Sequence, residues 1–209
     1  MSDDGPEALR VRQSGEQVLL APYTAHWSGR FDRLAAVLAP ALGPLALRIE
    51  HIGSTSIPDM DAKDVLDVQV SVLDVQVSVA SLEAATEAFT GPLSTLGFDR
   101  GPYNSDHVPA GAPDDPRLWQ KRFWSRRRQP GGDVNLHVRL EGSPGEQLAL
   151  LFRDWMRSNP DAVIAYSRFK LLLAASVTDV DGYTDIKDPI VDLVMCAARP
   201  WAAATQWRP

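Results

Sequence analysis

The chain repeats seven residues without a break: Leu66–Val72 reads LDVQVSV, and Leu73–Val79 reads LDVQVSV again. Either copy alone alternates apolar and polar residues as a strand with one buried face does. Seven is odd, however, and side chains on a strand change face at every residue. One unbroken strand through both copies would put Leu73, Val75, Val77 and Val79 on the face that carries Asp67, Gln69 and Ser71. The pattern therefore demands a break in phase. A bulge or loop between the copies, extrusion of one copy, or exchange of a strand with a second subunit would supply it, and the last would make a dimer through the duplicated strand. Two copies are too few for a solenoid.

Immediately before the repeat runs His51-Ile52-Gly53-Ser54-Thr55, a short loop through Pro58, and then Lys63-Asp64-Val65. Glycine lets the backbone approach an anion closely, and the backbone N–H groups and hydroxyls of Ser54 and Thr55 can donate to phosphate oxygens. Asp67 on the following strand would face the same place, and Lys63 could reach a phosphate as a point charge. The plain alternative is an ordinary turn ahead of a half-buried strand, with His51 orienting the loop and Lys63 on the surface. Short, tight closure to the turn favours the first copy of the heptad as the strand that serves it.

Periodicity and punctuation arrange the rest. Helical spacing covers Thr24–Leu42, and alternation covers Leu45–Ile52. A helix over Ser81–Leu96 stops at Gly97, a short strand over Phe98–Tyr103 follows, and Asn104–Pro116 is loop. Leu118–Ser125 and Asp133–Leu140 predict an antiparallel hairpin across Gly131-Gly132. Helices follow over Pro144–Ser158, Pro160–Ser176 and Asp185–Ala198, the first two with proline in the first turn. The expected fold class is α/β (α+β), a mixed β-sheet backed by helices, with a flexible segment over residues 1–20, one domain over 21–200 and a tail over 201–209.

With 44% hydrophobic and 23% charged residues, and no apolar run long enough for a bilayer, 209 residues read as one globular domain with a sizeable core and no membrane partner. Met1–Glu16 lacks the pattern of a signal peptide, so a cytoplasmic location is expected. The single cysteine, Cys196, rules out a disulfide within the chain and falls on an apolar helical stretch, which predicts a core position. A net charge of −6 argues against general nucleic-acid binding. Lys121–Arg128 nonetheless holds five cations in eight residues, a local patch suited to a phosphorylated small molecule or simply a solvated hairpin end.

Asn135 and His137 lie two apart on the predicted strand and share a face, where the imidazole could serve as acid, base, metal ligand or phosphate donor. Tyr166 and Lys170 lie four apart on one helical face. Trp155, Trp201 and Trp207 are assigned to packing or to the tail.

His51–Pro58, Ala62-Lys63, Leu66–Val70, Lys121-Arg122-Phe123, Asn135–Val138 and the Tyr166–Lys170 stretch together resemble the GrpB family over roughly Pro22–Ala198. That family also occurs fused to some bacterial dephospho-CoA kinases. The resemblance implies a nucleotidyltransferase-like fold that binds a nucleotide or another small phosphorylated ligand, with Asp67 and His137 as candidate catalytic residues and Asp67 as a ligand for Mg²⁺. Gly53, Ser54, Thr55, Lys63, Gln69, Lys121, Arg122, Asn135, Tyr166 and Lys170 are the candidate ligand-binding residues, and Lys187 matches the helical region. Measured from Gly53, the first heptad has the family's spacing; measured back from Ser81, the second does. Nucleotidyltransferases place two acidic residues two positions apart, whereas here Gln69 follows Asp67 and brings no charge to a divalent cation. Three functions remain open: a Mg²⁺-dependent nucleotidyl or phosphoryl transferase, a degenerate module that binds a nucleotide or CoA-like ligand, and an interaction protein assembled through the duplicated strand.

Overall fold

The computed structural model describes residues 18–72 and 80–209. Five strands form one mixed sheet: β1 (Ala46–Ile52), β2 (Val65–Val72), β3 (Asp99–Arg100), β4 (Lys121–Arg126) and β5 (Asp133–Leu140), in the spatial order β1-β2-β5-β4-β3. β2 and β5 pair in parallel, and the other neighbours are antiparallel. The helices are α1 (His26–Leu42), α2 (Ala80–Thr95), α3 (Pro144–Arg157), α4 (Pro160–Ser176) and α5 (Val180–Thr205).

The first heptad supplies β2. Leu66, Val68, Val70 and Val72 face the core, and Asp67, Gln69 and Ser71 take the opposite face, as strand alternation requires. The second copy, Leu73–Val79, lies outside the described residues. α1 and α2 cover the apolar face, where Trp27, Leu38, Phe89 and Leu93 pack on Val68, Leu136 and Trp124. A second cluster joins α3, α4 and α5 to Ile57 and Met60 of the loop after β1. That loop is therefore held between two apolar cores, which positions it rigidly over the polar face of β2.

Several expectations change. The last helix runs from Val180 to Thr205, well beyond Asp185–Ala198 at both ends. At its start Asp179 Oδ1 accepts from Gly182 N at 2.8 Å, and Trp201, Ala202 and Trp207 pack against the second cluster, with Trp207 Nε1 donating to Asp154 Oδ2 at 3.1 Å. Cys196 is exposed rather than in the core, because α5 turns Met195 and Ala198 inward and Leu193 and Cys196 outward. The strand expected at Phe98–Tyr103 shrinks to Asp99–Arg100, and Pro116–Trp119 forms a turn of 3₁₀-helix ahead of β4. No described helix is long and apolar enough to cross a membrane.

Candidate functional site

The Gly-Ser turn rests on a carboxylate. Gly53 has φ +68° and ψ −173°, a backbone region open essentially only to glycine. A Cβ there would stand 2.4 Å from Asp67 Oδ2, so the missing side chain is also what admits the carboxylate. Ser54–Ser56 then form one turn of 3₁₀-helix.

The three hydroxyls of that turn have separate fates. Ser54 Oγ accepts from Lys170 Nζ at 2.9 Å. Thr55 points inward, hydrogen-bonded to His51 Nε2 at 3.0 Å and buried, so it braces the turn and does not present its hydroxyl to a ligand. Ser56 Oγ donates back to Gly53 O at 2.7 Å. His51 stacks on Phe31 with ring centroids 4.9 Å apart, and burial lowers its pKa to about 4. It is a neutral strut, in keeping with the orienting role its place in the sequence suggests.

Parallel pairing of β2 with β5 sets Asp67 beside Asn135, Gln69 beside His137, and Ser71 beside Arg139. Asn135 Nδ2 donates to Asp67 Oδ1 at 2.8 Å, and His137 Nε2 lies 3.9 Å from the same oxygen. Burial pushes Asp67 up, but the imidazole, the Asn135 amide and the Lys63 ammonium together outweigh it and hold the carboxyl below its ordinary range. Burial lowers the pKa of His137 to about 4, so the ring is neutral near pH 7. The Asp67 side chain keeps 30% of its exposure, enough for a ligand to reach it.

Two lysines feel this carboxylate. Lys63 lies 5.5 Å above the Tyr183 ring, and its pKa falls through burial and through the nearby Lys187 and Arg127, against the pull of Asp67. Lys170 is almost wholly buried; burial and then the charges of Lys187 and Lys63 lower its pKa to about 7. Its Nζ also donates to Asp61 O, so it clamps both ends of the loop that follows β1. Tyr166 sits below the clamp in the second core, edge-on to Phe152 with its ring 5.1 Å from Lys170 Nζ, and burial raises its pKa. Tyr166 supports the lysine from inside the core.

Lys121 and Arg122 part company because neighbours on a strand face opposite ways. Lys121 pairs in register with Arg139 on the polar face, and both hold Asp106: Lys121 Nζ to Oδ1 at 2.8 Å, Arg139 Nε to Oδ2 at 2.7 Å and Nη2 to Oδ1 at 2.8 Å. Those two cations, the charge-assisted bonds to Arg139 included, outweigh burial and keep the Asp106 carboxyl far below the usual range. Arg122 pairs with Val138 on the other face and donates to Glu83 of α2 at 2.8 Å, away from the group around Asp67. Of the three consecutive arginines, Arg127 reaches the group by donating to Asn135 Oδ1 and to Val134 O at 2.7 Å.

Gln69 is fully buried and accepts from Arg139 Nη1 at 2.7 Å. The sequence reading passes over Arg139 and Asp106. Arg139 continues the alternation Asn135-His137-Arg139 and was open to the same parity argument, whereas an aspartate in a loop carries no comparable signal. The structure thus gathers Gly53, Ser54, Lys63, Asp67, Gln69, Asn135, His137 and Lys170, adjoined by Lys121, and leaves Thr55, Arg122 and Tyr166 in supporting places.

This donor set favours an anion over a metal. Asp67 is the carboxylate that Asn135 and His137 approach, and among the described residues no three His, Cys, Asp or Glu side chains come together as metal ligands. Two surface clefts lie elsewhere, one of about 350 Å³ beside Pro189 and Cys196 and one of about 400 Å³ beside Arg117 and Ser143.

Comparison with known proteins agrees with this architecture. A family model described as GrpB protein matches residues 17–196. A dephospho-CoA kinase of Mycolicibacterium paratuberculosis is 35% identical over 210 residues, covering 92% of this chain and 48% of that protein, so the chain spans about half the length of that relative. A UPF0157 protein of Halalkalibacterium halodurans is 31% identical, with 88% of this chain and 84% of that one covered. The crystal structure of conserved protein GrpB from Enterococcus faecalis superposes with a TM-score of 0.66 at 25% identity, over 88% of this chain and 99% of that one. The mixed five-stranded sheet with flanking helices of this chain is the α+β fold that this likeness supports. By sequence along nearly its whole length and by fold, the chain belongs to the GrpB family.

Proposed function

We propose that this chain binds a small phosphorylated ligand, a nucleotide or a CoA precursor, on the polar face of β2 and β5, and that it acts as a binding module. One observation carries this reading: buried Lys170 Nζ bonds Ser54 Oγ of the Gly-Ser turn at 2.9 Å, and Lys63 stands near enough for its charge to act on both Lys170 and Asp67, with Lys187 and Arg127 close by and Asp61, Asp133 and Asp188 among their partners. Partly buried cations set beside a glycine turn and a hydroxyl favour the approach of an anion. Ser54 and Asn135 add hydrogen-bonding groups, and neutral His137 adds no charge. The dephospho-CoA kinase relative, about twice as long, supports a ligand of this chemical kind. A nucleotidyltransferase-like ancestry is compatible with the sheet, and Gln69 in place of a second carboxylate is what separates this chain from the transfer reaction.

A second reading, Mg²⁺-dependent nucleotidyl or phosphoryl transfer, draws on the partly exposed, ionised Asp67 beside His137. A resident two-metal centre does not fit a site with one carboxylate and a lysine next to it, so Mg²⁺ belongs to this reading only as an ion carried by the ligand's own phosphates. A thermal-shift screen of nucleotides and CoA precursors, with and without Mg²⁺, separates the two. The binding reading predicts stabilisation without Mg²⁺ that is lost in Lys63→Met. Stabilisation that needs Mg²⁺ and disappears in Asp67→Asn would replace it with the transferase.

A further inference from the structure

Two buried polar atoms beneath this group have no hydrogen-bond partner among the described residues: Gln69 Nε2 and His137 Nδ1. Gln69 is 0% exposed, and it sits opposite His137 in the register of two parallel strands, so the two side chains stand next to each other on one face. Phe123 closes one side of the imidazole edge-on, its ring centroid 5.2 Å away. Native proteins rarely leave such groups unmatched, and where they do a bound water or ion, strain or a functional role is the usual reason.

Neither side chain can relieve itself by turning over. Arg139 Nη1 donates to Gln69 Oε1 at 2.7 Å, which fixes the amide with Nε2 as the remaining donor. His137 turns Nε2 toward the Asp67 carboxylate at 3.9 Å, longer than a hydrogen bond but near enough for the negative charge to favour the ring proton on Nε2, which leaves Nδ1 as an acceptor. The site therefore offers one donor and one acceptor side by side. An ionised phosphate oxygen can answer the donor but not the acceptor. A hydroxyl or a secondary amide answers both.

We propose that the ligand seats a hydroxyl or secondary-amide group on Gln69 Nε2 and His137 Nδ1, so that the site selects an organic phosphate over inorganic polyphosphate. This rests on the phosphate-binding reading of Ser54 and Lys63, and adds to it the part of the ligand that is not phosphate. Ribose would present a hydroxyl, and a pantetheine arm would present a hydroxyl and amides; the chemistry demanded of the ligand is the same.

Calorimetric titration of the full chain with inorganic tripolyphosphate, ATP and 4′-phosphopantetheine tests it, using Gln69→Glu and His137→Phe as variants. Gln69→Glu keeps the acceptor that Arg139 holds, replaces the donor with a second oxygen and adds a negative charge that weakens all three probes alike, so the ratio between probes is its readout; His137→Phe keeps the ring against Phe123 and removes the acceptor. At least one organic phosphate should bind the unaltered protein about tenfold or more tighter than tripolyphosphate, the scale of one buried hydrogen bond. Each variant should lose most of that ratio, while tripolyphosphate binding changes much less in His137→Phe. Should Gln69→Glu unfold, His137→Phe decides alone. The organic probe that shows the preference identifies the source of the hydroxyl or amide. Equal binding of all three probes, or a preference untouched by either substitution, would overturn the inference while leaving phosphate binding intact. No binding of any probe would overturn the phosphate reading, and this inference with it.

Discussion

Lys170 Nζ donates to Ser54 Oγ at 2.9 Å across 116 positions of sequence, and the same ammonium reaches the Asp61 carbonyl. One buried cation on α4 thus fixes both ends of the loop that carries the Gly-Ser turn. The ammonium is held at a pKa near 7 chiefly by burial. The consequences for stability and for the ligand can be measured separately.

A lysine whose folded pKa lies at about 7, against an ordinary 10.5, makes folding less favourable wherever the unfolded chain binds the extra proton. The burden is full below pH 7 and lifts as pH rises from about 7 to about 10.5. The stability of the unaltered protein minus that of Lys170→Met should therefore grow over that interval, by up to about 5 kcal/mol. Urea unfolding of both proteins at pH 7, 8.5 and 10 reads this directly; a difference that is flat in pH would show that the ammonium titrates normally.

His51 and His137 are both neutral struts with folded pKa values of about 4. Their contribution is present above the unfolded value near 6.5 and is lost as pH falls toward 4, since the unfolded chain takes up protons first. Stability should decline by about 2 kcal/mol for each histidine between pH 7 and pH 5. His51→Phe, which preserves the stack on Phe31, should show half that slope. Imidazole resonances of His51 and His137 that titrate near 6.5 would contradict the assignment.

Gly53→Ala forces a Cβ into a glycine-only conformation and to within 2.4 Å of Asp67 Oδ2. A loss of about 2–3 kcal/mol is expected from the backbone alone. The additional clash with Asp67 should appear as non-additivity in a cycle with Asp67→Ala, the double variant losing less stability than the two single variants summed. Additive thermal-shift values would mean that turn and carboxylate do not touch.

Asp106 binds Arg139 and Lys121 in a nearly solvent-free setting. Asp106→Asn should cost about 3 kcal/mol by leaving two cations without their partner. Asp115→Asn, which removes the exposed partner of Arg117, should leave the unfolding midpoint where it was. A small effect at Asp106 would mean that the loop can leave the sheet at little cost.

Much of the sheet could be read because its strands obey a two-residue rhythm. Leu66-Asp67-Val68-Gln69 and Val134-Asn135-Leu136-His137 both alternate, and their polar members meet on one face in the structure. Parity also required that Lys121 and Arg122 face opposite ways, but which of them joined His137 depended on the register of β4 with β5, which no local pattern fixes. Thr55 was legible as a hydroxyl but not as an inward one, because its direction follows from the bond to His51. Lys170 shared a helical face with Tyr166, yet nothing near it in sequence points to Ser54; that contact arises only when α4 packs on the loop after β1. Pro189 and Pro200 sit inside α5 and interrupt its local signal, which hid the ends of the helix, and Cys196 followed the apolar composition of the stretch while facing outward. What was missed is set by tertiary contacts, which override local pattern.

Phosphate is proposed to sit among Ser54, Lys63, Asp67, Asn135 and His137. A crystal structure of the protein soaked with ATP tests it most directly. Phosphate density within hydrogen-bonding distance of Ser54 Oγ and Lys63 Nζ is the predicted result. Density confined to Arg126–Arg128, or to the cleft beside Cys196, with the lysine group unchanged, would contradict it.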